Sequence, residues 1–110
     1  MSRLLRIPAR ARADIDHIFG WLKNRSPQGA AAWYQAFFKA AEKIIDHPES
    51  YPMIGEALPR WHRRIHEALF KTRRGRRYRI VFEITETEIR ILRVRGPGQP
   101  PLRGRDLPSS

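Results

Sequence analysis

The fold of this 110-residue chain is decided by residues 77–94, which read RYRIVFEITETEIRILRV. Apolar residues alternate with charged ones from Arg77 to Ile84, and the polar run Thr85–Glu88 separates this segment from a second apolar one, Ile89–Val94. Alternation with a period of two is typical of a strand that is buried on one face. The stretch therefore predicts two neighbouring strands joined by a tight turn.

A further strand is predicted just upstream. Residues Trp61 to Phe70 read as a strand, and Lys71–Gly75 supplies the turn that leads into Arg77. Before it, residues 48–59 contain prolines and a glycine without any period, so they are predicted to form a loop with Tyr51 and Met53 beneath it. The second half of the chain is thus expected to be a three-stranded antiparallel meander.

The first half of the chain carries helical patterns. Apolar residues recur at helical spacing between Ala9 and Asn24, and a second apolar stripe runs from Tyr34 to Ile45. Ser26 is predicted to cap the second helix, with Pro27 at its first position and its end near His47-Pro48. The short turn between the helices predicts an antiparallel hairpin. Arg3–Ile7, which ends at Pro8, is predicted to be a first strand.

These elements predict an α+β fold: an N-terminal strand, an antiparallel two-helix hairpin, then a three-stranded antiparallel meander that forms a sheet packed on the helices. A chain of this length, with 41% hydrophobic residues, has room for one domain with one core. We expect that domain to span residues 1–96. Residues 97–110 are rich in proline and glycine and are expected to form a tail.

Composition excludes several kinds of site. The absence of cysteine rules out disulfides, thiolate zinc sites and cysteine nucleophiles, and it fits a reducing cytosol. His17 and His47 lack partners at metal-ligand spacing and are expected to be surface residues, and we expect neither a metal site nor another cofactor. No apolar run is long enough to cross a bilayer, so the expected location is the cytoplasm, with no membrane partner.

The charge of the chain is its largest anomaly. The sequence has 22 Lys and Arg against 11 Asp and Glu, which gives a formal net charge of +11. Because the excess is mostly arginine, whose planar fork suits phosphate and carboxylate, the expected partners are nucleic acid or an acidic protein. Nonspecific binding to nucleic acid through counterion release would explain the same charge.

The sheet pattern places part of this charge. A strand that turns Tyr78, Ile80, Phe82 and Ile84 toward the helices must turn Arg77, Arg79, Val81 and Glu83 the other way. This second face is expected to be open and basic. The candidate binding residues, which we expect to converge on one concave patch with Arg64 and His66 of the preceding strand, are Lys71, Arg73, Arg74, Arg76, Arg77, Arg79, Arg93 and Arg95.

From roughly Arg3 to Gln99 the chain resembles the RelE/ParE superfamily of type II toxin–antitoxin systems, which includes plasmid stabilisation proteins. Residues 77–82 look like the arginine-bearing central strand of that family, and residues 89–95 look like the strand that follows. Ala13-Asp14-Ile15 at the start of the first helix and Pro48 after the second are similar to the ParE branch.

The resemblance implies two different activities. Arg79 falls where ribonucleases of the RelE branch place an arginine that contacts the scissile phosphate. Those enzymes also use lysines on the preceding strand, where this chain offers Arg64 and His66, or Lys71 in another alignment. They end with a tyrosine or histidine for proton transfer, but here Gly96-Pro97-Gly98-Gln99 supplies neither.

The proton-transfer residue of the RelE ribonucleases is missing from this sequence. RNA cleavage through the 2′-hydroxyl needs proton transfer as well as cations, and His66, His62 or Glu67 would have to supply it. The catalytic candidates are therefore Arg79, His66 and Arg64. Inhibition of DNA gyrase by binding, which the ParE branch implies, needs no such group and is slightly favoured. A nonspecific nucleic-acid-binding module and an inactive toxin relative remain as alternatives.

The family also implies partners. Its toxins are neutralised by a cognate antitoxin, whose acidic and amphipathic segment would complement a chain of charge +11. The target would be DNA gyrase or ribosome-bound messenger RNA. A plainer interpretation is that the arginines from Arg73 to Arg79 form a solvated hairpin to which the antitoxin binds, and that His66 is solvent-facing or structural.

Overall fold

The order of secondary structure follows the predicted one in this computed structural model, which describes residues 3–54 and 65–99. Strand β1 (Leu4–Arg6) leads into helices α1 (Ala9–Arg25) and α2 (Pro27–Asp46). A short 3-10 turn, Pro48–Ser50, follows. The chain ends its described part with β2 (Ile65–Phe70), β3 (Tyr78–Ile84) and β4 (Glu88–Arg95). The predicted α+β fold is confirmed; residues 61–64 of the strand predicted at 61–70 lie outside the described residues.

The four strands form one mixed sheet in the order β1-β4-β3-β2. Strand β3 is antiparallel to both β2 and β4, as the meander predicted, while β1 lies parallel to β4. The pairing of β3 with β4 contains an irregularity at Val81/Phe82, where the register shifts. This shift changes which residues of β4 share a face beyond that point.

The boundary between the two helices of the hairpin is set by Ser26 and Pro27. The Ser26 hydroxyl accepts a hydrogen bond from the Gly29 amide at 3.0 Å, so Ser26 caps α2 as predicted. Pro27 occupies the first turn of α2, where its missing N–H costs nothing. The apolar stripe of each helix faces the core that the helices share with the sheet.

The core lies between the hairpin and the sheet. Trp33 and Phe37 of α2 are almost fully buried, and their rings lie 6.0 Å apart. Trp33 also packs edge-on against Tyr78, at 5.6 Å between ring centroids. The predicted inward face of β3 is confirmed by the burial of Tyr78, Ile80, Phe82 and Ile84 in this core.

The second face of the sheet is not open at its centre, which corrects the prediction of an open basic face. Ile65, Val81 and Leu92 form a separate buried cluster there, and Ile54 packs against it. Met53 lies beside β2 with 62% of its surface exposed, so the expectation that it is tucked beneath a loop is wrong. Tyr51, by contrast, is half-buried and packs edge-on against Phe82.

Helix α1 is fastened to β4 by one carboxylate. Asp14 accepts hydrogen bonds from the Arg93 side chain, with Nε at 2.7 Å and Nη2 at 3.0 Å, and from the Val94 amide at 2.9 Å. Strand β1 pairs only with Glu88 to Arg90 of β4. Asp14 therefore provides a hydrogen-bond acceptor for the Val94 amide, which lies beyond the end of β1. Among the described residues, no helix is both long and apolar enough to cross a membrane.

Candidate target-binding site

The connection between β2 and β3 concentrates the positive charge of the molecule. Its cations are all exposed, and none forms an ion pair within residues 3–54 and 65–99. We call this group the basic turn; it consists of Lys71, Arg73, Arg74, Arg76 and Arg77.

The backbone of the basic turn is folded back on itself. The Gly75 amide donates to the Thr72 carbonyl at 3.2 Å. A side chain at Gly75 would collide with the Thr72 hydroxyl, so glycine suits the close approach there. The turn therefore presents its arginines from a defined bend, where their like charges repel one another and favour an anionic partner.

Arg79 lies on β3, away from the helices, as predicted. Its Nη1 atom lies 3.4 Å from Glu67 Oε2 on the neighbouring strand, and the Arg79 side chain is 31% exposed. At this distance and exposure the ion pair is weak, so Arg79 can exchange Glu67 for another anion. Arg79 is therefore accessible at the base of the basic turn, with part of its charge balanced.

The structure separates His66 from Arg79, so the prediction that they share a patch is wrong. His66 lies opposite Phe82 in the β2–β3 register, and its ring stacks on Phe82 at 5.5 Å. It therefore points into the core and is only 4% exposed. The physical reason is the register, which puts His66 on the same face as Phe82 and opposite to Arg79.

His66 has a structural partner. Its Nδ1 lies 2.8 Å from the carbonyl oxygen of Tyr51. Because a carbonyl only accepts, Nδ1 must carry the proton and donate it. Nε2 is buried with no hydrogen-bond partner among the described residues. The ring thus anchors the segment at Tyr51 to β2, so a structural role fits the position of His66, and the solvent-facing alternative is wrong.

The two arginines of β4 also depart from the expected patch. Arg93 is turned to α1, where it forms the bidentate pair with Asp14, and its side chain is only 13% exposed. Arg95 pairs with Arg79 across the strands but is only 5% exposed. Neither offers an exposed guanidinium to a large partner. Arg64, the remaining candidate, lies outside the described residues.

Sequence reasoning missed Tyr78 as a neighbour of the basic turn. Tyr78 is the first residue of β3, 9% exposed, and its ring lies where a side chain at Gly96 would touch it. Burial raises the pKa of Tyr78, while the nearby Arg76 cation lowers it. Its position directly after Arg76-Arg77 in the sequence could have indicated this proximity. Tyr78 is thus the point where the basic turn meets the core.

These residues offer cations rather than a complete catalytic set. The basic turn and Arg79 can bind phosphates or carboxylates, but the nearest histidine of the sequence prediction points the other way. Among the described residues, no group of three or more His, Cys, Asp or Glu could hold a metal ion.

The order of these elements, a strand, two helices and a four-stranded sheet packed on them, is that of the small α+β toxins of the RelE/ParE superfamily. A family model described as "ParE toxin of type II toxin-antitoxin system, parDE" matches residues 5–101. The chain therefore belongs to the ParE toxin family. A search of curated proteins found no significant match. Membership makes the chain a type II toxin and implies a cognate antitoxin.

Proposed function

We propose that this protein inhibits bacterial growth by binding DNA gyrase through the basic turn, with Arg79 at its base. The observation that carries the proposal is the exposure of five cations without an ion pair in the described part of the chain. Such a cluster attracts an acidic surface and orients it before contact. Family membership supports the choice of gyrase, since ParE-like toxins are expected to act on it by binding.

Binding fits the site better than cleavage of RNA. Arg79 is available to a phosphate, but a cleavage reaction also needs a group that removes the 2′-hydroxyl proton. His66 is committed to the Tyr51 carbonyl and lies on the other face of the sheet. Among the described residues, Glu67 is the remaining proton-transfer candidate, and its carboxylate is paired with Arg79 itself at 3.4 Å. Binding needs no proton-transfer group, so it accounts for the exposed cations with fewer requirements.

We further propose that a cognate antitoxin silences the toxin in the cytoplasm. The formal net charge of +11 favours an acidic partner, and the same basic turn would be covered when the partner is bound. Neutralisation and toxicity would then compete for one surface.

The test is induced expression in bacteria, comparing the parent protein with a turn variant that combines Arg73→Gln, Arg74→Gln and Arg77→Gln. Arg76 is kept because its charge acts on Tyr78. The parent should arrest growth with a DNA damage response and intact messenger RNA. The turn variant should grow nearly normally, since it loses three of the five cations that would contact the target.

The matched control combines Lys23→Gln, Lys39→Gln and Lys43→Gln, which are exposed on the helices. Both variants lower the formal net charge of +11 by three, so the comparison separates location from total charge. The control variant should arrest growth like the parent. Equal toxicity of the two variants, or rapid loss of messenger RNA on induction, would contradict the proposal.

A further inference from the structure

The outer edge of β2 is half covered by the chain itself. The Ile54 amide donates to the Ile65 carbonyl, and the Glu67 amide donates to the Pro52 carbonyl, each at 3.0 Å. Met53 and His66 form the antiparallel bridge between these two bonds. Residues 52–54 therefore act as a short added strand, which shows that this edge accepts one.

Within residues 3–54 and 65–99, no strand pairs with the other half of the same edge. In an antiparallel sheet the backbone N–H and C=O groups of alternate residues point to the same side. The groups of Leu69 therefore point away from β3, as those of Ile65 and Glu67 do. Within the described part of the chain, no backbone hydrogen bond reaches the Leu69 amide or carbonyl from this side. The Leu69 side chain is also 49% exposed. An edge with unpaired backbone groups and an apolar side chain is a template for pairing.

Charge around this free half selects the partner. The edge runs directly into the basic turn, where Lys71 and Arg73 are exposed and have no carboxylate partner in the described residues. A strand laid beside Leu69 would bring its own side chains within reach of both cations. Acidic residues would be favoured there, and an apolar residue would cover Leu69.

We propose that the edge of β2 at residues 68–71 is the docking site for an extended acidic segment of the antitoxin, which adds to the sheet as a strand. Its backbone pairs with Leu69, while its carboxylates contact Lys71 and Arg73. This proposal rests on the proposed neutralisation for the identity of the partner. It adds the site and the conformation of the bound segment. Backbone pairing would give affinity, and the alternating side chains would give specificity.

The test uses the purified toxin and a synthetic nonapeptide in which glutamate and valine alternate, with both ends blocked. Amide exchange and chemical shifts are followed by NMR during titration at low salt. The Leu69 and Lys71 amides should gain protection from exchange, because both become hydrogen-bonded donors. The control is a scrambled peptide of the same composition and charge, with its glutamates and valines in separate blocks.

Three variants separate backbone pairing from charge. Leu69→Pro removes the outward amide, and proline is tolerated at a sheet edge whose amide does not serve the neighbouring strand. It should weaken peptide binding about tenfold, while Leu69→Val, which keeps the amide, should bind like the parent. Lys71→Gln combined with Arg73→Gln should weaken binding and flatten its dependence on salt.

Several results would overturn the proposal. One is binding that leaves the exchange of the Leu69 and Lys71 amides unchanged, as a polyanion held only by charge would do. Equal affinity of the scrambled peptide, or no binding at all, would do the same. If the Leu69→Pro variant fails to fold, amide protection in the parent decides alone. Since none of these measurements depends on toxicity, they can succeed even if the toxin does not act on gyrase.

Discussion

Asp14 illustrates how a single side chain can join two elements of this molecule. It accepts three hydrogen bonds from Arg93 and Val94, and the Asp14 and Arg93 side chains are only 16% and 13% exposed. At that burial an ion pair with bidentate geometry is poorly screened by water. The contact should therefore contribute to stability rather than to target binding.

We predict that Asp14→Asn lowers the free energy of unfolding by about 2 kcal/mol, because the Arg93 guanidinium then faces an uncharged amide in a partly buried site. Urea unfolding monitored by circular dichroism measures the change. Asp16→Asn, an exposed position on the same helix, is the control and should have little effect. Equal stability of the Asp14 variant and the parent would show that the contact contributes nothing.

Tyr78 supplies a prediction about alkaline pH. Its pKa is raised above the ordinary value of 10.0, because burial disfavours the phenolate more than the Arg76 cation stabilises it. The folded protein therefore keeps the phenolic proton at pH values where the unfolded chain has lost it. This contribution to stability is complete below the unfolded pKa and is lost as the pH rises above it.

Arg76→Gln should raise the pKa of Tyr78 further, since the opposing cation is removed. The ζ-carbon chemical shift of Tyr78, followed by NMR through alkaline pH, measures this directly. Arg74→Gln removes a different arginine of the basic turn and is the matched control. A Tyr78 pKa that falls in the Arg76 variant would contradict the assigned balance of burial and charge.

At the scale of residues, sequence reasoning succeeded where one strand decides the outcome and failed where two strands must be aligned. Alternation alone placed Ile80 and Phe82 in the core and Arg79 outside it. The face of His66 depends on the register across the seven residues 71–77, which no local pattern specifies. Arg93 lies opposite Val81, but its guanidinium bonds Asp14 of α1, a contact between distant parts of the chain that no local pattern specifies.

The elements themselves were largely readable from the sequence. Helix α1 was expected at residues 9–24 and ends at Arg25, while α2 ends at Asp46, beside the predicted His47-Pro48. Apolar periodicity, proline and a capping serine are local signals, and they fix such boundaries well. The parallel pairing of β1 with β4 joins residues more than eighty positions apart, so no local signal could reveal it.

The cap at the start of α2 gives a prediction at this scale. Ser26→Ala should lower the free energy of unfolding by about 1 kcal/mol, because the Gly29 amide loses its side-chain acceptor. Ser26→Asn, which can still accept that bond, should restore most of the loss. Thermal unfolding of the two variants beside the parent makes the comparison, and identical melting of all three would show that the cap has no energetic role.

At the scale of the whole molecule, the residues that stabilise the fold differ from the cations that are exposed to a partner. The core and the Asp14 contact hold a small mixed sheet against a helical hairpin, while five exposed cations cluster on the basic turn. The composition predicted an anionic partner, and the fold shows which cations remain exposed. It also removes Arg93 and Arg95 from the accessible set, because both are mostly buried.

The measurement that tests the central claim most directly is DNA supercoiling by purified gyrase in the presence of the purified toxin. The parent and the Lys23, Lys39 and Lys43 control variant should inhibit the reaction equally. The variant with glutamine at positions 73, 74 and 77 should need about tenfold more protein for the same inhibition, because the charged contacts that speed association are removed. Equal inhibition by that variant, or no inhibition by the parent, would contradict the account.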